Sequence, residues 1–136
     1  MKEKADLVRG RLRKAESDLI ALEASLNAGA LDAACFHAQQ AAEKLVKAFL
    51  AYANVDYPFT HNLAKLVEVA AMTDPSFQAL LPVVEPLTPY AVELRYDSDF
   101  WPTVETAREA QSLALEVKEF VLSLLPEDIT PPDHQP

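Results

Sequence analysis

Ala34-Cys35-Phe36-His37-Ala38-Gln39-Gln40-Ala41-Ala42-Glu43-Lys44-Leu45-Val46-Lys47-Ala48-Phe49-Leu50 is the stretch from which the rest of the chain can be read. Its side chains fall into two lines at helical spacing. Ala34, Ala38, Ala41, Leu45, Ala48 and, just beyond, Tyr52 recur at alternating steps of four and three, a mostly small-residue stripe against which other helices can pack closely. His37, Gln40, Lys44 and Lys47 form a polar line beside it. Two readings of that line stand open: donors aimed at a phosphate or base, or a hydrated face on which Glu43 and Lys47 form an i,i+4 ion pair.

Working outward, the same periodicity predicts a bundle. Ala5, Val8, Leu12, Ala15, Leu19, Leu22 and Leu26 mark one amphipathic helix from about Lys2 to Asn27, and Gly29 supplies the permissive backbone that ends it. The quoted stretch then lies on a second helix, Leu31 to about Ala53, antiparallel to the first. Asn54 to Thr60 reads as a loop, and Leu63, Leu66, Val67 and Ala70 mark a third helix that stops near Thr73. Asp74-Pro75 and Thr88-Pro89 each set a capping side chain before a proline, which predicts two short helices, the later one ending near Arg95 and Tyr96. Thr103 then caps a last long helix carrying Ala107, Ala110, Ala114, Val117, Val121 and Leu124, with Glu105 at its positive end. No strand-like alternation of useful length appears, so the expected fold is all-α, an up-and-down bundle of four to five helices. Residues 1–125 form one domain in this reading, and the proline-rich residues 126–136 a mobile tail.

Composition narrows the function. Half of the 136 residues are apolar and 24% are charged, as in an ordinary globular domain. No apolar run reaches bilayer-spanning length and the N-terminus lacks a signal-peptide core, so a cytoplasmic protein without a membrane contact is expected. Cys35 is the single cysteine and reads as a small buried hydrophobe. The net charge of −9 argues against broad electrostatic binding of nucleic acid, although RNA is not excluded. Residues 1–14 run against that trend at net +4, leaving −13 for the remainder, which reads as a solvated helix end or as a basic arm.

Several catalytic classes drop out. Two isolated glycines leave no phosphate-binding loop, dinucleotide fingerprint or nucleophile elbow. His37, His61 and His134 are scattered without metal-ligand spacing, and Cys35 and His37, two apart on a helix, point to different sides. Asp97-Ser98-Asp99 resembles a metal-holding carboxylate pair but lacks the glycine-serine turn that accompanies one in nucleotidyltransferases.

Three separated motifs share one resemblance. The run from Phe36 to Leu50, then Pro58-Phe59-Thr60-His61-Asn62-Leu63, then Leu94-Arg95-Tyr96-Asp97, resembles the HEPN (higher eukaryotes and prokaryotes nucleotide-binding) domain family over most of residues 4–124. The resemblance implies a four- or five-helix bundle, homodimerisation, and a nucleotide-binding accessory role beside a separately encoded minimal nucleotidyltransferase, in the setting of a toxin-antitoxin pair. It places the family's polar positions on Gln40, Glu43, Lys44, Lys47, His61, Arg95 and Tyr96. The implied ligand is an ATP-like nucleotide with magnesium, with no cofactor held tightly. Arginine and lysine suit phosphate, and a tyrosine ring suits a base. The bland alternatives are a salt bridge from Arg95 to Asp97 or Asp99, a packed core ring for Tyr96, and a helix-start role for His61, its ring bonded to backbone. A branch of the family resembles ribonucleases that use an arginine followed by four to six residues and then a histidine. After Arg95 the next histidine is His134, so the proton-transfer partner is missing and the reading leans away from an enzyme. A ribonuclease-like toxin, with His37 or His61 substituting, and a ligand-free homodimerisation module joined through Phe100 and Trp101 are the alternatives.

Overall fold

A computed structural model describes residues 3–130. Helix α1 spans Lys4–Ala28, α2 Leu31–Tyr52, α3 Leu63–Thr73, the single turn α4 Leu81–Val84, and α5 Val104–Leu124. The architecture is all-helical, as the sequence predicts, and among the described residues it contains no strand.

Helix α2 is the centre of the bundle. Twelve of its 22 residues are buried, because α1, α3 and α5 all pack against it. Ala34, Ala38, Ala41 and Ala48 are fully buried, so the small-residue stripe does set the close approach of neighbouring helices. Against it α1 buries Val8, Leu12, Ala15, Leu19 and Leu22, the stripe read from its sequence. Gly29 ends α1 in the left-handed region at φ 80°, and the Ala30 N–H donates to the Ser25 carbonyl at 2.9 Å. Polar ties join α1 to α5: Lys118 Nζ donates to Glu16 at 2.9 Å and Gln111 to Glu23 at 2.6 Å.

The middle of the chain departs from the expected pair of short helices. Pro75–Leu80 and Glu85–Tyr90 are 3₁₀ segments on either side of α4, and the chain continues in turns as far as Tyr96. Pro82, Pro86 and Pro89 carry no N–H, so a regular α ladder cannot run through them and the tighter i→i+3 pattern takes over. Asp74 does cap, accepting from the Ser76 N–H at 3.0 Å. Thr88 does not: it lies inside a 3₁₀ segment and donates its hydroxyl to the Val84 carbonyl at 3.2 Å. Phe77 from the first of these segments stacks between Phe49 of α2 and Phe120 of α5, with ring centroids 4.5 and 5.0 Å away, closing one end of the core.

The start of the proline-rich tail is not loose. Ile129 is 5% exposed and joins the core, while the Arg9 guanidinium donates to the Asp128 carbonyl at 2.7 and 3.3 Å. An isoleucine three residues after a proline turn has apolar surface to bury, a signal outweighed in the sequence reading by the proline density. The remainder of the expected mobile tail, with His134, lies outside the described residues.

Candidate functional site

The C-terminal half of α2 meets the start of α3 through a buried polar network. Glu43 is 3% exposed and Gln39 fully buried. Gln39 Nε2 donates to Glu43 Oε1 at 3.0 Å and to the His61 carbonyl at 3.3 Å, while Gln40 Nε2 donates to Gln39 Oε1 at 2.7 Å. Lys47 Nζ reaches Glu43 Oε2 at 2.9 Å, and His61 Nδ1 lies 3.0 Å from Glu43 Oε1. Burial pushes the Glu43 carboxyl up, but the hydrogen bonds from Lys47, Gln39 and His61, with the lysine's charge, outweigh it and hold the group below its ordinary value. Among the described residues no buried side-chain nitrogen or oxygen lacks a partner, so this is a fully satisfied network.

An ionised Glu43 requires a proton on His61 Nδ1, the nitrogen that faces it. The half-exposed His61 lines a cleft of about 280 Å³ with Asn62, Thr88 and Glu93. The start of α3 is capped by Asn62, whose side chain accepts from the Lys65 N–H at 3.2 Å, so the helix-start role weighed for His61 falls to its neighbour.

Lys44 turns the other way. Its Nζ donates to Asp18 of α1, which also meets His37 Nδ1 at 3.0 Å. The two lysines of the polar line on α2 are therefore neutralised, with Asp18 answering Lys44 and Glu43 answering Lys47. Gln39 and Asp18, the two groups that organise these contacts, are absent from the set read from the sequence. A signal existed for both: Gln39 continues the buried line Cys35, Ala42, Val46 and Phe49, and Asp18 sits between Ala15 and Leu22 on the packed face of α1. A polar residue inside an apolar stripe marks a buried partner.

The N-terminal end of α2 meets the turns after Tyr90. There the Arg95 guanidinium lies over the Phe36 ring, 3.8 Å from its centroid, and 5.7 Å from that of Tyr96. The expected alternative, a salt bridge to Asp97 or Asp99, does not form: the guanidinium lies on the Phe36 ring, and Asp97 Oδ1 accepts from the Asp99 N–H at 2.9 Å. Among the described residues the Arg95 N–H groups have no hydrogen-bond partner. Tyr96 is 81% exposed and not a core ring, Trp101 is 74% exposed, and Phe100 packs on Tyr90 with centroids 5.6 Å apart. These residues surround a cavity of about 200 Å³, also lined by Asp32 and Asp97. Lys44 is not part of it: Phe36 and Lys44 are eight residues apart, about 12 Å along the helix axis.

Cys35, beneath this end, is fully buried. Burial pushes its thiol up to about 11, the Tyr90 hydroxyl draws it partly back and Asp32 adds to the rise, so the sulfur stays protonated and unreactive. His37, bonded to Asp18, does not activate it.

With this geometry in view, comparison with family models matches residues 8–124 to the HEPN domain. The chain belongs to the HEPN family. Two solved structures share the HEPN bundle seen here. One is ST0689, an archaeal HEPN homologue, 24% identical over 96% of this chain and 100% of that one, with a TM-score of 0.71. The other is TT1696 from Thermus thermophilus, 28% identical over 87% of this chain and 98% of that one, also with a TM-score of 0.71. Comparison with curated proteins found no match. Within the HEPN bundle the seven expected site residues divide three ways: Gln40, Glu43, Lys47 and His61 in one network, Lys44 on Asp18, and Arg95 with Tyr96 at the aromatic cavity. No helix among the described residues is long and apolar enough to cross a membrane.

Proposed function

We propose that this HEPN domain is a nucleotide-binding accessory protein whose ligand sits in the aromatic cavity at Arg95. One observation carries the reading: an arginine held face-on against Phe36, its N–H edges without a partner, in a cavity with Tyr96 and Trp101. A guanidinium positioned in this way offers paired donors to a phosphate, and the exposed rings offer faces for a base. Lys44 and Lys47 are already answered by carboxylates, so the phosphate contact falls to Arg95, and Gln40, Glu43 and His61 belong to the network that ties α2 to the start of α3. Magnesium accompanies an ATP-like ligand, and the metal-dependent chemistry belongs to a separate minimal nucleotidyltransferase with which the domain associates.

Calorimetric titration with ATP and magnesium tests this. Saturable binding is expected, lost in Arg95→Ala and retained in Lys44→Ala, with both variants checked for folding by circular dichroism. No heat at millimolar nucleotide would remove the reading. Homodimerisation belongs to the same proposal and predicts a sedimentation mass of twice 15.0 kDa.

A ribonuclease reading draws on a different observation, the contact between the Glu43 carboxylate and a half-exposed His61 that lines the cleft. It requires RNA cleavage that disappears in His61→Ala.

A further inference from the structure

We infer that the Arg95 cavity takes the nucleoside end of its ligand and leaves the phosphate chain outside. This rests on the nucleotide-binding reading and adds which half of the molecule is enclosed. At about 200 Å³ the space falls below the roughly 300–1,000 Å³ of sites that surround a drug-sized ligand, so it encloses part of a nucleotide and not all of it.

The charges choose the part. Two carboxylates, Asp32 and Asp97, line the cavity against a single cation, Arg95. An ionised carboxylate only accepts hydrogen bonds. One Asp97 oxygen takes the Asp99 N–H, and the other has no hydrogen-bond partner among the described residues, nor does the Asp32 side chain. The hydroxyl and amino groups of a nucleoside can donate to these oxygens. Phosphate oxygens also only accept, so a polyphosphate set between Asp32 and Asp97 would face two like charges, in a chain whose net charge is already −9. The ring faces of Tyr96 and Trp101 suit a flat base and give nothing to a phosphate. Arg95 can satisfy one phosphate group at most, the one nearest the ribose. Asp32 and Asp97 thus become the residues that select for a nucleoside, and magnesium is not needed to fill the cavity.

Trp101 is the chain's only tryptophan, so its fluorescence reports the cavity directly. The intact protein is titrated with adenosine, AMP, ATP and inorganic tripolyphosphate without magnesium, with calorimetry alongside so that a silent fluorophore is not read as absence of binding. Adenosine and AMP are expected to bind saturably, AMP about ten- to a hundredfold tighter, since one charged hydrogen-bonded contact separates them. Tripolyphosphate should neither bind nor displace AMP. Asp32→Asn with Asp97→Asn should weaken adenosine at least about tenfold in a protein that circular dichroism shows to be folded. Binding of ATP that tripolyphosphate displaces and adenosine does not imitate would overturn the inference and leave nucleotide binding standing. Unchanged adenosine affinity in the double variant would overturn it too. Failure of all four compounds to bind would overturn both.

Discussion

Glu43 shows how a single residue can be placed where it is stable only in company. At 3% exposure its charge depends on Lys47, Gln39 and His61, and removing it strands the Gln39 donor inside the bundle and takes the acceptor from Lys47 and His61. Glu43→Ala is expected to lower unfolding free energy by about 3 kcal/mol, the scale of a broken buried pair, measured by urea denaturation. The pH dependence has a definite sign. Glu43 is held below its ordinary 4.5, so its contribution is complete above that value and is lost as pH falls toward the depressed folded one. As pH falls below 4.5 the wild type should therefore lose stability more steeply than Glu43→Gln, as thermal melts at descending pH would show. The sequence showed half of this. An i,i+4 Glu-Lys pair is visible in any helix, but the approach of His61, 18 residues away, depends on how the 54–62 loop returns. No local pattern encodes that return.

At the scale of the element, helix boundaries followed the sequence wherever local chemistry alone decides them. Gly29 and Thr103 end or start their helices through their own backbone or side chains, Thr103 accepting from the Thr106 N–H at 3.1 Å, whereas α3 starts on Asn62 and not on His61. Thr103→Ala should accordingly cost about 1 kcal/mol in chemical denaturation, the usual value of a cap. Thr88, which only resembles a cap, should cost less when replaced by alanine, because its hydroxyl bonds a carbonyl within the same turn. The 75–96 stretch was harder to read because Pro82, Pro86 and Pro89 compete with the capping signals, and tertiary packing settles which succeeds. Helix α1 contains the opposite opportunity. Gly10 lies in its middle, and a methyl group added there would meet nothing within 4 Å. Gly10→Ala should raise stability by about 0.5–1 kcal/mol, read as a higher denaturation midpoint with unchanged slope.

For the whole molecule, the two ends of α2 do different work. Its C-terminal half is committed to a buried, satisfied network, whereas its N-terminal end meets a cavity with an unpartnered arginine and exposed rings, which leaves a cation's donors for a ligand. The sequence could nominate Arg95 and Tyr96 through resemblance, yet the ring beneath the guanidinium, Phe36, comes from a segment 59 residues earlier and emerges only with the fold. The chain's far ends are also joined: Ile129 enters the core and the Asp128 carbonyl holds Arg9, so the C-terminal segment clamps the first turns of α1. Ile129→Ala should cost about 2 kcal/mol or more, as for a buried aliphatic side chain. A chain ending at Leu125 loses that contact and the two bonds from Arg9 as well, and should melt below the point variant. If hydrogen exchange then accelerates first in the amides around Val8 and Leu12, the clamp acts on α1; uniform acceleration would instead assign the loss to the core as a whole.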